Sequence, residues 1–373
     1  VSESEASVTR LLAAAVASGL APGFVALWGR PDEPQCVAFG QRGLGAGPVT
    51  PDTWYDLASL TKPLVTTTLF LLARRQGMGL EDPLECFLPE LKGSPWASVT
   101  VFQCLTHTAG FPAWAPLYAY GEPSREGYLR AVAAIAPAYA PGSAVVYSCL
   151  GFIALGMALE RVGGLPLSEL FRREVREPLG LGQELDFAPP LSRPVALGEK
   201  RFFVEERLCR EQGFQAQPPP PLAHSWSCDD GNARGLGGAA GNAGLFGTAW
   251  GVLRLAQEYL PGFGRLLSPE EAKLTTRNHT PGMAQARGLG WQLATTPGCS
   301  AGPSLSPASF GHTGFTGTSL WVDPEREAVF VLLGNRLHPG GRTPDLHPLR
   351  RKFYALAGRG LRRPHPGPSI SRL

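Results

Sequence analysis

Ser59 and Lys62 stand three residues apart, between an aromatic stretch at Trp54 and Tyr55 and an apolar run from Leu64 to Leu72. On a helix, positions i and i+3 share a face, so the ammonium can lie over the hydroxyl. A serine hydroxyl is a poor nucleophile until a base takes its proton. A buried lysine is such a base if desolvation lowers its pKa towards neutrality. A helix N-terminus would favour the negative charge that develops. Serine and lysine at this spacing also occur by chance, as a capping serine and a surface lysine. Two features weigh against chance: the chain has only five lysines, and this one lies in a mostly apolar stretch. Pro63 disfavours α geometry at Lys62 and removes a backbone donor, which predicts an irregular first turn.

Other chemically capable residues form weaker patterns. His107 closes a short predicted helix before Gly110, where a histidine is more often a structural hydrogen-bonder than a catalytic base. His224, Cys228, Asp229 and Asp230 match no common zinc spacing. The glycine-rich stretch 235–247 follows no strand and ends in no Gly-Lys-Ser/Thr, which argues against a phosphate loop. No metal or cofactor is expected.

The elements that would position Ser59 follow from periodicity. Ser4 to Leu20 reads as a helix, with Val8, Leu11, Leu12, Ala15 and Val16 on one face. Phe24–Trp28 and Cys36–Phe39 read as a hairpin. Leu64, Val65, Thr68, Leu69, Leu71 and Leu72 fill one helix face behind Ser59. Pro141 to Cys149 is a turn and a short extended piece before an apolar helix, Leu150–Val162, which Gly163 and Gly164 end. A further helix is expected from Ser168 to Val175. From Asp186 to His224 the pattern dissolves, and the proline run 218–221 suggests a long surface excursion. A helix is expected over Thr248–Leu260. Gly288–Leu293, Ser309–His312, Thr318–Asp323 and Ala328–Gly334 read as strands, and Leu346–Ala357 as a closing helix. This order predicts an α/β fold with a mainly antiparallel sheet built from both chain ends and a helical insertion. Residues 1–62 and 285–358 would form the sheet domain, 63–284 a mostly helical domain, and 359–373 a loose tail.

Composition bounds the partners. At 373 residues the chain has ample core, and 43% hydrophobic residues is ordinary for a globular protein. A net charge of +3, from 34 basic and 31 acidic residues, implies no nucleic acid or other polyanion partner. No apolar run reaches membrane-spanning length, and no signal segment opens the chain. Seven cysteines without paired spacing fit free thiols in a reducing, cytoplasmic compartment. Val1 is not a start methionine, so an exported form that lost a leader stays open. Oligomeric state is not encoded in any pattern found here.

Ser59-Leu60-Thr61-Lys62, Tyr147-Ser148-Cys149 and His312-Thr313-Gly314 occur in the order of the three active-site elements of the penicillin-recognising serine hydrolases. The chain resembles their class C β-lactamase, D-alanyl carboxypeptidase and family VIII esterase branch. Leu105–Gly110, Ala240–Phe246, Gly311–Gly317 and Asn335–Pro339 are similar too, so the resemblance runs from about Ser4 to Leu356. It implies a β-lactamase-like fold. It also implies roles. Ser59 would be the acylated nucleophile, Lys62 its proton acceptor or the group that tunes its partner, and Tyr147 a shuttle to the leaving group that also activates water. The N–H groups of Ser59 and Phe315 would form the oxyanion hole. His312, on an edge strand, would orient substrate or support Tyr147, with Thr313 and Gly314 binding substrate beside it. Two positions depart from the family pattern. Cys149 replaces the usual asparagine and offers only a weak donor. His312 replaces the usual lysine and would hold a carboxylate less firmly. The expected activity is hydrolysis of small carboxylic esters. A β-lactamase, a D-alanyl carboxypeptidase or an aminopeptidase acting on amides is the alternative, and a non-catalytic binding descendant is the third reading.

Overall fold

The runs Phe24–Trp28 and Ala328–Leu333 are apolar at every position, which suits strands at the centre of a sheet covered on both faces. The computed structural model describes residues 2–120, 122, 124–215, 218, 228–359 and 361. Its main sheet comprises β1 (Gly23–Gly29), β2 (Gln35–Gly40), β6 (Gln292–Leu293), β7 (Phe310–Thr313), β8 (Ser319–Asp323) and β9 (Ala328–Gly334). They are ordered β2-β1-β9-β8-β7-β6, and each neighbouring pair is antiparallel. The sheet is therefore drawn from both chain ends, as expected.

Alternation sorts each strand between two cores. Val25, Leu27, Val329, Val331 and Leu333 face the larger one, with the helices of the chain's middle. Phe24, Ala26, Trp28, Phe330 and Leu332 face the smaller one, against the helices Glu3–Ala17 and His347–Ala357. The first of these helices is closed by a capping box between Ser2 and Glu5. Leu150–Gly163 runs through the larger core, with every residue from Leu150 to Leu159 buried. Gly164, at φ +65°, ends it in the left-handed region, as the glycine pair predicts. Among the described residues no single helix is long and apolar enough to cross a membrane.

A second, three-stranded sheet pairs β3 (Tyr55–Asp56), β5 (Phe246–Gly247) and β4 (Leu185–Asp186) in the order β3-β5-β4. It carries the chain directly into Ser59.

Several expectations need correction. Residues 186–215 are not a surface excursion. Val195 and Ala196 are buried, Trp54 exchanges backbone bonds with Pro194 and Ala196, and a helix forms at Phe203–Glu211. His224, Pro219, Pro220, Pro221 and the tail beyond Leu361 lie outside the described residues. Helices at Arg125–Ala134 and Pro269–Thr276 were not expected. The strand expected over Gly288–Leu293 shrinks to Gln292–Leu293. Gly290 has φ +77°, and a Cβ there would lie 2.1 Å from Thr67 Oγ1, so the chain bends to pack against the Ser59 helix.

Candidate active site

The turn that carries Ser59 is irregular, as Pro63 predicts. Ala58 has φ +47°, Ala58–Leu60 form a 3₁₀ turn, Lys62–Thr67 a π-helical turn, and only Thr68–Arg74 is α-helical. Ser59 therefore does not cap a helix; it sits inside the 3₁₀ turn. The strained Ala58 is held by Asp56, whose carboxyl accepts the Ala58 N–H at 2.8 Å. The turn that follows strand β7 is clamped to the Ser59 turn. Thr316 and Thr318 hydroxyls donate to the carbonyls of Asp56 and Leu57 at 2.7 and 3.0 Å. Gly314 passes so close that a Cβ would lie 2.8 Å from the Leu57 carbonyl. This fixes the Gly314–Phe315 backbone beside Ser59, where an oxyanion donor would be needed.

Two titratable groups meet at Ser59 Oγ. Lys62 Nζ lies 3.0 Å from Ser59 Oγ, and the Tyr147 phenol donates to the same oxygen at 2.8 Å. Lys62 also donates to the Asn242 carbonyl at 3.0 Å and to Cys149 Sγ at 3.5 Å. It lies 4.9 Å from the centre of the Tyr147 ring. Lys62 is fully buried. Burial works against its charge, but Cys149 and Tyr147, with Asp230 behind them, outweigh burial and hold it above its ordinary value. The condition under which desolvation alone would make Lys62 a base, a pKa lowered towards neutrality, is thus not met. The physical reason is that the same burial surrounds the ammonium with acceptors. Burial raises Tyr147 as well, with Lys62 pulling the other way. At neutral pH the pair holds an ammonium and a phenol. It becomes a base for Ser59 once one proton leaves the pair.

His312 Nδ1 meets the Thr313 carbonyl at 2.9 Å, and its ring lies 5.7 Å from that of Tyr147. Burial, Lys62 and Arg287 push it far below the usual histidine value, so it is neutral. Strand β7 is not strictly an edge strand, because β6 pairs with its Phe310 and Gly311; at His312 and Thr313 that side is free.

Two cavities meet at Ser59, Tyr147 and Phe315. One, of about 260 Å³, is lined by Arg287, His312, Thr313, Gly314, Arg336 and Arg350. Sequence reasoning missed these arginines. Arg287 and Arg350 are buried, and burial lowers each to about 10. Their bonds go to neutral acceptors: the Gln285 side chain for Arg287, and the Gly314 and Thr318 carbonyls for Arg350. Arg336 donates to the Phe315 and Pro344 carbonyls. The positive charge that His312 does not supply is thus supplied by guanidinium groups. The Asn335-Arg336 pair in one of the matching stretches was the available signal.

The other cavity, of about 210 Å³, is lined by Ala113, Trp114, Cys149, Val204, Leu208 and Leu337, with the carboxyls of Glu199, Glu205, Asp229 and Asp230. Burial, then repulsion from a neighbouring aspartate, raises Glu205 and Asp229 to about 8. Both are therefore largely neutral at pH 7, and this side of the cleft is mostly apolar. Among the described residues no group of histidine, cysteine or carboxylate side chains is arranged to hold a metal ion. All seven cysteines are free thiols.

The model of the beta-lactamase family matches residues 8–355. The chain belongs to the beta-lactamase family. It is a serine hydrolase of that fold. Among curated relatives of this family member, a putative D-alanyl-D-alanine carboxypeptidase of Salmonella enteritidis PT4 is 28% identical over 327 residues. That match covers 80% of this chain and 73% of the relative. Among solved structures, EstCE1, a hydrolase with promiscuous acyltransferase activity, superposes with a TM-score of 0.73 at 24% identity. It covers 95% of this chain and 99% of its own. The D-alanine carboxypeptidase AmpC from Burkholderia cenocepacia superposes with a TM-score of 0.69 at 22% identity, over 95% and 98% of the two chains. At these identities the structural matches speak for the fold alone.

Proposed function

We propose that this beta-lactamase family member hydrolyses small carboxylic esters through an acyl-enzyme on Ser59. Ser59 Oγ attacks the ester carbonyl carbon, and its proton passes to the Lys62–Tyr147 pair in the form from which one proton has already left. The N–H groups of Ser59 and Phe315 would hold the oxyanion. The carbon–oxygen bond to the alcohol breaks, and Tyr147 returns the proton to the departing alkoxide. Water, activated by the same pair, then hydrolyses the acyl-Ser59 ester. His312 would accept a hydrogen bond through Nε2, and Thr313 would contact the substrate beside it.

The observation that carries the ester preference is the 3.5 Å contact of Lys62 with Cys149 Sγ. A thiol there gives Lys62 a weak acceptor and the substrate a weak donor. An amide substrate needs firm placement and protonation of a poor leaving nitrogen; an ester needs less of both. The mostly apolar second cavity would take a small acyl group. The test compares kcat/KM for a short-chain p-nitrophenyl ester and a chromogenic cephalosporin, and a preference for the cephalosporin would overturn the ester reading.

One observation favours a second reading. Arg287, Arg336 and Arg350 face the first cavity without a carboxylate within ion-pair reach among the described residues, and such a cluster suits a substrate carboxylate. That would fit a β-lactam or a D-alanyl-D-alanine carboxypeptidase substrate, the latter being the activity named for the Salmonella relative. Arg350→Met should then weaken KM for a carboxylate-bearing substrate and leave a neutral ester unchanged. With seven free cysteines, a reducing compartment is the proposed location.

A further inference from the structure

Tyr147 must hold its hydroxyl on Ser59, yet residues 144–148 lie in no helix or strand. Its placement therefore depends on what receives the backbone bonds of its neighbours. Both go to one residue. The Val146 N–H donates to the His107 carbonyl at 3.0 Å, and the Ser148 N–H donates to His107 Nδ1 at 3.1 Å. The His107 ring also lies 4.7 Å from the Tyr147 ring and 5.1 Å from that of Phe152. We propose that His107 is the positioning residue of Tyr147: it brackets the tyrosine from both sides of the chain and backs its ring.

The local geometry is specialised for this. His107 has φ +59°, in the left-handed region where a non-glycine residue is uncommon. That turn aims its carbonyl and its imidazole at the same segment. Its carbonyl also accepts the Tyr139 hydroxyl at 3.1 Å. Accepting a bond at Nδ1 requires that nitrogen to be unprotonated. Burial and the charges of Arg287 and Lys62 hold the ring well below its usual pKa, so the acceptor is present at neutral pH. Nε2 is buried without a partner, which leaves Nδ1 as the ring's one engaged nitrogen among the described residues.

The inference rests on the acyl-enzyme reading above, because it assigns a role through Tyr147. Asparagine separates positioning from bulk. Its Oδ1 is an acceptor at the same branch of the side chain, and asparagine tolerates positive φ. Leucine keeps apolar volume but has no acceptor, and glycine relieves the backbone but has none either. With the whole 373-residue chain and a short-chain p-nitrophenyl ester, His107→Asn should stay within about threefold of wild-type kcat. His107→Leu and His107→Gly should lose about 10²-fold in kcat, the typical cost of a misplacement of about 1 Å, with KM within about threefold. The labelling rate of Ser59 by a fluorophosphonate should fall in parallel. If His107→Leu does not fold, by circular dichroism, the comparison of His107→Gly with His107→Asn decides. A wild-type kcat without the acceptor, an equal loss in the asparagine variant, or a loss confined to KM would each overturn the inference. Ser59→Ala, run alongside, separates the two claims. Activity surviving in Ser59→Ala defeats the acyl-enzyme reading, whereas a dead Ser59→Ala with an active His107→Leu defeats only the role of His107.

Discussion

Replacing Cys149 with asparagine tests the ester preference at its source. The Cys149 backbone is already fixed: its N–H donates to the Ala113 carbonyl at 2.9 Å and its carbonyl accepts the Ile153 N–H at 3.0 Å. The cavity of about 210 Å³ beside Cys149 leaves room for the larger side chain. The chemical change falls on Lys62. Its bonds to Ser59 Oγ and to the Asn242 carbonyl are both 3.0 Å, whereas Cys149 Sγ is a weak acceptor at 3.5 Å. A carboxamide oxygen there makes a hydrogen bond to a charged group, worth about 1.5–3 kcal/mol. At about 1.4 kcal/mol per decade, that is roughly one to two decades. The ammonium form of Lys62 gains this stabilisation, so the pair gives up its proton at higher pH. The pH–rate profile for the ester should move upward, and kcat/KM near pH 7 should fall by about tenfold. The amide donors now facing the cavity should raise the cephalosporin-to-ester ratio by about one to two decades. Stopped-flow hydrolysis of both substrates from pH 6 to 10 measures all three quantities. An unchanged ratio and an unmoved profile would show that Cys149 only packs, and that substrate preference lies in cavity shape.

Tyr147→Phe keeps the ring between His107, Lys62 and His312 and removes only the hydroxyl on Ser59. Steady-state kinetics should show kcat reduced by about 10²–10⁴ with little change in KM, and a loss under tenfold would remove Tyr147 from proton transfer. The buried carboxyls make stability pH-dependent. Asp229 and Glu205 sit near 8 when folded, against ordinary values of 3.8 and 4.5. Between those limits the unfolded chain binds fewer protons, so stability is highest below the ordinary values and falls as pH rises towards 8. Tm should therefore drop from pH 5 to 8.5, and Asp229→Asn should flatten the slope. A Tm that rises over this range would contradict the burial of neutral carboxyls.

What the sequence disclosed divides by the range of the forces involved. Unbroken apolar runs in Phe24–Trp28 and Ala328–Leu333 report two covered faces, so the strands and their origin at both chain ends were legible. Pro63 acts on its immediate neighbours, and the irregular turn at Lys62 was legible for that reason. The helices Arg125–Ala134 and Pro269–Thr276 carried cap signals in Ser124, Ser268 and Pro269 that went unread. Ser59, Lys62, Tyr147, Cys149, His312, Thr313, Gly314 and Phe315 were each named from motifs, and the fold brings them to one cleft. Residues that act through tertiary placement were not legible. Arg287 and Arg350 gain their meaning from burial opposite Ser59, which no local pattern records. The direction of the Lys62 shift was not legible, because against burial it depends on Cys149, Tyr147 and Asp230, all distant in the sequence. His107 looked like a turn residue, and only the return of the chain at Val146 and Ser148 shows what the turn supports.

The central claim is the covalent ester on Ser59, and intact-mass spectrometry with peptide mapping after fluorophosphonate treatment tests it most directly. The account predicts a single adduct, on Ser59, in wild type. It predicts no adduct and less than about a hundredth of the ester activity in Ser59→Ala, because losing a nucleophile typically costs on the order of 10⁴ or more. An adduct on another residue, or a Ser59→Ala protein that keeps more than that activity, would contradict it.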